Sequence, residues 1–131
     1  MPATQGIHHV GLTVLDIESA RDFFVEALDF EVVGGRPEYP AIFVSDGAVW
    51  ITLWAADPPA QAFDRRRCIG LHHLALSMPS SAALDAAYAR LRDREDVRIE
   101  FAPEPLGDAG ARHMIFAGPS GVRLELVWIP A

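Results

Sequence analysis

The sequence has one cysteine, Cys68, among 131 residues. It cannot form a disulfide within the chain, so the fold must rest on burial alone, and a reducing cytosol suits it. No excess of positive charge is present either. Lys and Arg number 11 against 18 Asp and Glu, a formal net charge of −7. Nucleic-acid binding begins with phosphate neutralisation and is excluded as the first reading. No apolar run approaches the ~20 residues of a membrane helix. The first residues, Met-Pro-Ala-Thr-Gln-Gly, show neither a basic segment nor an apolar stretch of the secretory kind. These absences point to a cytoplasmic protein. Half of the residues are hydrophobic and 22% are charged, which excludes disorder. A chain of this length buries roughly two-thirds of its unfolded surface, enough for a core without a structural metal.

An internal repeat is present. Residues 6–14 read Gly-Ile-His-His-Val-Gly-Leu-Thr-Val, and residues 70–78 read Gly-Leu-His-His-Leu-Ala-Leu-Ser-Met. All nine positions are identical or similar, His-His included. Each copy alternates large apolar with small or polar residues, the period of a strand. The first is followed by a helix that Asp16 caps, with Ile17, Ala20, Phe24 and Leu28 on one face. The second is followed by Pro-Ser-Ser at 79–81 and a helix over 82–92, with Leu84, Tyr88 and Leu91 on one face. Short strands are expected near Phe30–Val33 and Val97–Phe101. Loops are expected at Gly34-Gly35-Arg36-Pro37 and from Pro103 to Gly110. Hairpins close each copy, turning at Asp46-Gly47 and at Pro119-Ser120-Gly121. The expected fold class is α+β: two tandem βαβββ modules forming a cupped mixed sheet, as one domain over 1–131. Module 1 covers about 5–55, the linker about 56–68 and module 2 about 69–131.

Alternation places Val10, Leu12 and Val14 against the first helix and His9, Gly11 and Thr13 on the opposite face. Leu74, Leu76 and Met78 face the second helix, with His73, Ala75 and Ser77 opposite. His8 and His72 are then expected on the other side from His9 and His73, as structural or partly exposed residues. Aligning the two final strands sets Thr52 against Glu125. Glu125 is a lone carboxylate in an apolar segment, Leu124-Glu125-Leu126, where burial demands a partner or a metal. Two histidines and one carboxylate on one side make a site for Fe, Mn, Ni, Co or Zn with open coordination positions. His113, on the face of Ile115, is a candidate acid or base; its plainer reading is a hydrogen-bonded sheet histidine.

The pattern resembles the vicinal oxygen chelate superfamily, which includes glyoxalase I, extradiol dioxygenases, methylmalonyl-CoA epimerase, and fosfomycin- and bleomycin-resistance proteins. The residues carrying the resemblance are His9 to Asp16, Phe23-Phe24 with Ala27 to Phe30, His73 to Ser77, and Gly118 through Leu126. Asp29 stands where the family usually has Gly. The resemblance implies the glyoxalase-like fold, metal ligands at His9, His73 and Glu125, and a homodimer; Glu125 and His113 are the candidate catalytic residues. The departures narrow the chemistry. Thr52 replaces the Glu of glyoxalase I and the Gln of the epimerases. Ile115 replaces the Tyr of extradiol dioxygenases, ten residues before the Glu. Gly11 replaces a hydroxyl residue of the fosfomycin enzymes, and no cationic phosphonate clamp is evident.

Two readings follow. The first is a divalent-metal-dependent enzyme (lyase, isomerase, transferase or dioxygenase) acting as a Lewis acid on a small oxygen-chelating substrate. The second is a metal-free drug- or metabolite-binding protein of the bleomycin-resistance type, whose acidity would suit a cationic ligand. Thr52, Ile115 and Trp54 are expected to line the substrate pocket. Arg65-Arg66-Arg67 reads as a solvated charge run. Glu100 and Glu104 flank the Pro-rich loop, and either could reach the site. Cys68 has no base near it in sequence and reads as inert.

Overall fold

The computed structural model describes all 131 residues. It divides into two compact units, residues 1–60 and 61–131. The first contains β1 (His9–Val14), α1 (Ile17–Leu28), β2 (Glu31–Arg36), β3 (Ala41–Ser45) and β4 (Trp50–Ala55). Its sheet runs β1-β4-β3-β2, with β1 parallel to β4 and the other pairs antiparallel. The second contains β5 (Leu74–Ser77), α2 (Ser81–Leu91), β6 (Arg98–Leu106), β7 (Ala111–Ala117) and β8 (Arg123–Trp128). Its sheet runs β5-β8-β7-β6 with the same parallel and antiparallel pairing. The fold is α+β and two tandem βαβββ modules, as the repeat implies. No helix is long and apolar enough to cross a membrane.

Each unit buries one face of its sheet under its helix. In the first, Leu12, Val14, Val44, Ile51 and Leu53 meet Ala20, Phe23, Phe24 and Ala27 of α1. In the second, Leu76, Met114, Phe116, Leu124 and Leu126 lie beneath Leu84, Ala87 and Leu91. Ala87 takes the place expected for Tyr88, which is half-buried beside Arg92. The opposite face of each sheet is left for other uses.

Both helix starts follow the sequence. The Asp16 carboxylate accepts from the Glu18 and Ser19 N–H groups at 3.0 and 3.2 Å. Ser80 Oγ accepts from Ala83 N–H at 2.9 Å. These side chains satisfy donors that have no partner inside the helix.

The glycine- and proline-rich segments correct the sequence reading. Gly34, Gly35 and Arg36 belong to β2, and Pro103 to Leu106 belong to β6. Both are edge strands, where irregular pairing is tolerated and a proline needs to give up no ladder bond. Register shifts fall at Val32/Gly34 in β2, and at Ile99/Phe101 and Phe101/Glu104 in β6. Gly35 is fixed by close approach: a Cβ there would stand 2.8 Å from the Ala41 carbonyl oxygen.

Helix α1 ends on Asp29, in the left-handed region at φ 58°. The next N–H, of Phe30, returns to the Phe24 carbonyl at 3.0 Å, and the two rings touch at 5.1 Å between centroids. This closure favours glycine at the left-handed position. A carboxylate there also faces the negative end of the helix dipole. Asp29→Gly is therefore expected to stabilise the chain by about 0.5–1 kcal/mol. The urea midpoint should rise at unchanged slope; a midpoint that falls would contradict the account.

Candidate active site

On β8 the side chains of Arg123, Glu125 and Val127 share the face away from α2, because Leu124 and Leu126 fill the core. Glu125 is opposite Ile115 of β7, and His113, two residues along, shares that face. The Glu125 side chain is only 13% exposed and both of its oxygens are engaged. His113 Nδ1 lies 2.5 Å from Oε2, and His73 Nε2 lies 3.3 Å from Oε1. His113 is equally buried; its Nε2 faces Glu104 at 3.8 Å and its ring packs on Phe101 at 4.9 Å.

The network extends beyond the carboxylate. His73 Nδ1 is 2.8 Å from His72 Nδ1, and Arg123 Nη1 is 3.4 Å from that same His72 atom. Arg123 also grips Glu100 through two hydrogen bonds of 3.0 and 2.6 Å. A guanidinium nitrogen can only donate, so His72 Nδ1 accepts. His73 Nδ1 must then carry the hydrogen that points at it. In a neutral ring this leaves the lone pair on His73 Nε2, facing Glu125 Oε1. Two lone pairs set against each other call for a cation between them, a proton or a metal ion. His72 fits the acceptor role: desolvation first, then the Arg123 charge, holds its imidazole below the ordinary histidine range.

Ligand atoms at about 2.0–2.2 Å from one ion stand about 2.9–3.5 Å apart for octahedral to tetrahedral angles. The His73–Glu125 pair meets that spacing, and His113 holds the second carboxylate oxygen as an outer partner, a recurrent arrangement around metal ligands. The donor set therefore fits. No group of three His, Cys, Asp or Glu side chains is gathered at coordinating distance in the structure.

The first unit repeats the histidine pair without the carboxylate. His8 Nδ1 and His9 Nδ1 are 2.9 Å apart. The expectation that His8 and His72 turn away from His9 and His73 is thus corrected. The pairs sit at or before the strand entries, where strand alternation has not yet set in. Thr52 is 5% exposed; it accepts from Trp54 Nε1 at 2.9 Å and donates to the Val10 carbonyl at 3.4 Å. Trp54 packs on Tyr39 and Phe43. A Cβ on Gly11 would come within 3.3 Å of Thr52 Oγ1, a tight approach. A separate cleft of about 280 Å³ in this unit is lined by Asp29, Glu31, Val33, Ser45, Asp46 and Gly47. It contains none of the expected site residues, and its chemistry does not match theirs.

Sequence reasoning missed two participants. Arg65 is half-buried with a 3.9 Å approach to Glu100, not solvated, whereas Arg66 and Arg67 are exposed. Arg123 is 15% exposed and ties Glu100 to the histidine pair. The position of Arg123, two residues before Glu125, was the available signal. Arg112, by contrast, is spent on α2, gripping Asp85 at 2.9 and 3.1 Å and Ser81 at 2.6 Å.

Comparison with known proteins shows the family. Residues 6–126 match the model of the Glyoxalase/Bleomycin resistance protein/Dioxygenase superfamily. A 2-epi-5-epi-valiolone epimerase from Actinomyces sp. is 30% identical over all of this chain and 83% of its own length. A catechol-2,3-dioxygenase from Bacillus subtilis is 28% identical over 70% of this chain, which corresponds to 33% of that enzyme. The crystal structure of a glyoxylase/bleomycin resistance protein/dioxygenase domain from Frankia sp. EAN1pec superposes with a TM-score of 0.84 at 25% identity, covering 98% of this chain and 100% of that one.

The Arg123 guanidinium holds the Glu100 carboxyl below its usual range, first by hydrogen bonding. A depressed carboxylate stabilises the fold above its unfolded value near 4.5 and loses that contribution as pH falls through the lower folded value. Glu100→Gln is expected to flatten the acid limb of stability, measured as denaturant midpoints at about pH 6, 4 and 3. An acid limb as steep as in the parent chain would refute the assignment.

Proposed function

We propose that this chain, which belongs to the Glyoxalase/Bleomycin resistance protein/Dioxygenase superfamily, is a divalent-metal-dependent enzyme that moves a proton on a small substrate bearing neighbouring oxygens. The observation that carries the reading is the His73 Nε2 atom facing Glu125 Oε1 at 3.3 Å, with its tautomer set from behind by His72 and Arg123. His73 and Glu125 would hold the ion. His9, the repeat equivalent of His73, is the third candidate ligand. Thr52 is a weak ligand and is already bonded to Trp54, so coordination positions stay open for substrate oxygens. When bound, a divalent ion supplies Lewis acidity toward negative charge developing on a substrate oxygen.

His113 is the proton carrier. Its Nδ1–H stays on Glu125 Oε2, which leaves the Nε2 lone pair to take a proton. Glu104, half-exposed at 3.8 Å from Nε2, can pass that proton to water. Proton removal and return beside a carbonyl is the chemistry of isomerases and epimerases, and the 30% identical relative is named an epimerase. Ring cleavage is disfavoured, because Ile115 offers no acid or base opposite Glu125.

The test is metal content by elemental analysis of tag-free protein prepared without chelator. About one Fe, Mn, Ni, Co or Zn per chain is expected, lost in the His9→Ala/Glu125→Ala variant. His113→Ala is expected to weaken metal affinity by about 10–100-fold, as loss of an outer-shell partner does. Absence of metal even after reconstitution would overturn the reading. A ligand that binds Glu125→Gln as tightly as the parent would then favour the metal-free binding protein.

A further inference from the structure

Arginines cluster at one end of the Glu125 face. Arg65 and Arg123 both approach Glu100, at 3.9 and 2.6 Å, and the charges of Arg98 and Arg66 act on Glu100 and His72 respectively. Three arginines, Arg65, Arg98 and Arg123, thus act on one carboxylate in a chain whose net charge is −7. Asp64, beside Arg65 in sequence, is turned to the Arg66 N–H at 2.9 Å and to Arg67 at 3.7 Å. Glu125 also acts on Arg123 from its other side, and Glu125 is itself committed to His73 and His113.

Arg65 is the anomaly. Its side chain is about one-third exposed, but Nε is buried and has no hydrogen-bond partner. A buried N–H without an acceptor is unfavourable and rare. Its approach to Glu100 is too long for a hydrogen bond. A guanidinium fork with an empty Nε position, next to a second guanidinium, matches the oxygens of a carboxylate or a phosphate.

We propose that Arg65 and Arg123 form the docking site for an anionic group, carboxylate or phosphate ester, of the small substrate that the Glu125 face acts on. Glu100 is the internal anion that bridges the two guanidiniums until the substrate arrives. It is 40% exposed and free to swing into water when displaced. The proposal rests on the reading of Glu125 as the reaction centre. Arg123 and Glu125 are two residues apart on one strand, about 6.6 Å along it. The substrate class is therefore a compact oxyacid, small enough to span neighbouring positions on one face of a strand.

The test follows the arginine Nε–H signals of ¹⁵N-labelled full-length protein, dialysed free of metal, at fixed ionic strength. One series adds inorganic phosphate and another adds acetate. The expected result is a saturable shift of the Arg65 and Arg123 signals with one of them, which assigns a phosphate ester or a carboxylate. Arg65→Gln and Arg123→Gln should each weaken binding at least about tenfold, as loss of a charge-assisted pair does. Glu100→Gln should tighten binding several-fold, since it removes the competing charge and keeps an acceptor. Binding should persist in Glu125→Gln. If neither anion shifts the two signals saturably, if Glu100→Gln weakens binding, or if Glu125→Gln abolishes it, the docking site is wrong. A failed metal reading shows differently: a chain that takes up no metal yet still binds the anion.

Discussion

A carboxylate inside an apolar strand governs the second unit. Glu125 lies between Leu124 and Leu126, both almost fully buried, and a charge in that setting must be compensated. The compensation is not one partner but a chain of them. Glu104, His113, Glu125, His73, His72, Arg123, Glu100 and Arg65 follow one another, each approaching the next. Each link restricts the next. Arg123 makes His72 an acceptor, His72 makes His73 a donor at Nδ1, and His73 then presents Nε2 to Glu125. A network of this kind holds its members rigidly only if every member is satisfied. The two places where satisfaction fails, the His73–Glu125 gap and the Arg65 Nε, are where added charge would complete it.

The repeat made the fold legible. Two nine-residue copies, two capped helices and two hairpin turns define the order of elements, and the burial of Leu12, Val14, Leu76 and Leu124 follows from alternation alone. The errors share one cause. Gly34-Gly35 and Pro103-Glu104-Pro105 carry the composition of turns, yet they extend edge strands. Composition reports what a residue tolerates, and at an edge the requirement is smaller than in a sheet centre.

The site was legible in its donors and not in its connections. Glu125 stood out by contrast with its neighbours, and His73 by the repeat. The Glu100–Arg123 pair joins positions 23 residues apart, across a strand with two register shifts. Each shift exchanges the faces, so parity along β6 could not say whether Glu100 or Glu104 reached the site. Both do, at opposite ends of the network. The histidine orientations failed for a related reason: His72 and His73 precede β5, where no ladder yet dictates direction.

The two units show what one scaffold becomes when a single position changes. Each sheet opens with a histidine pair joined through Nδ1, at 2.9 Å in one and 2.8 Å in the other. At the position equivalent to Glu125 the first unit has Thr52. A neutral hydroxyl needs only one or two hydrogen bonds, and Trp54 and the Val10 carbonyl supply them locally. Nothing then requires a chain of charged partners, and the surrounding positions are aromatic: Tyr39, Phe43, Trp50 and Trp54. In the second unit the carboxylate demands compensation, and histidines and arginines occupy the corresponding face. One module is thus built for apolar contact and the other for charge.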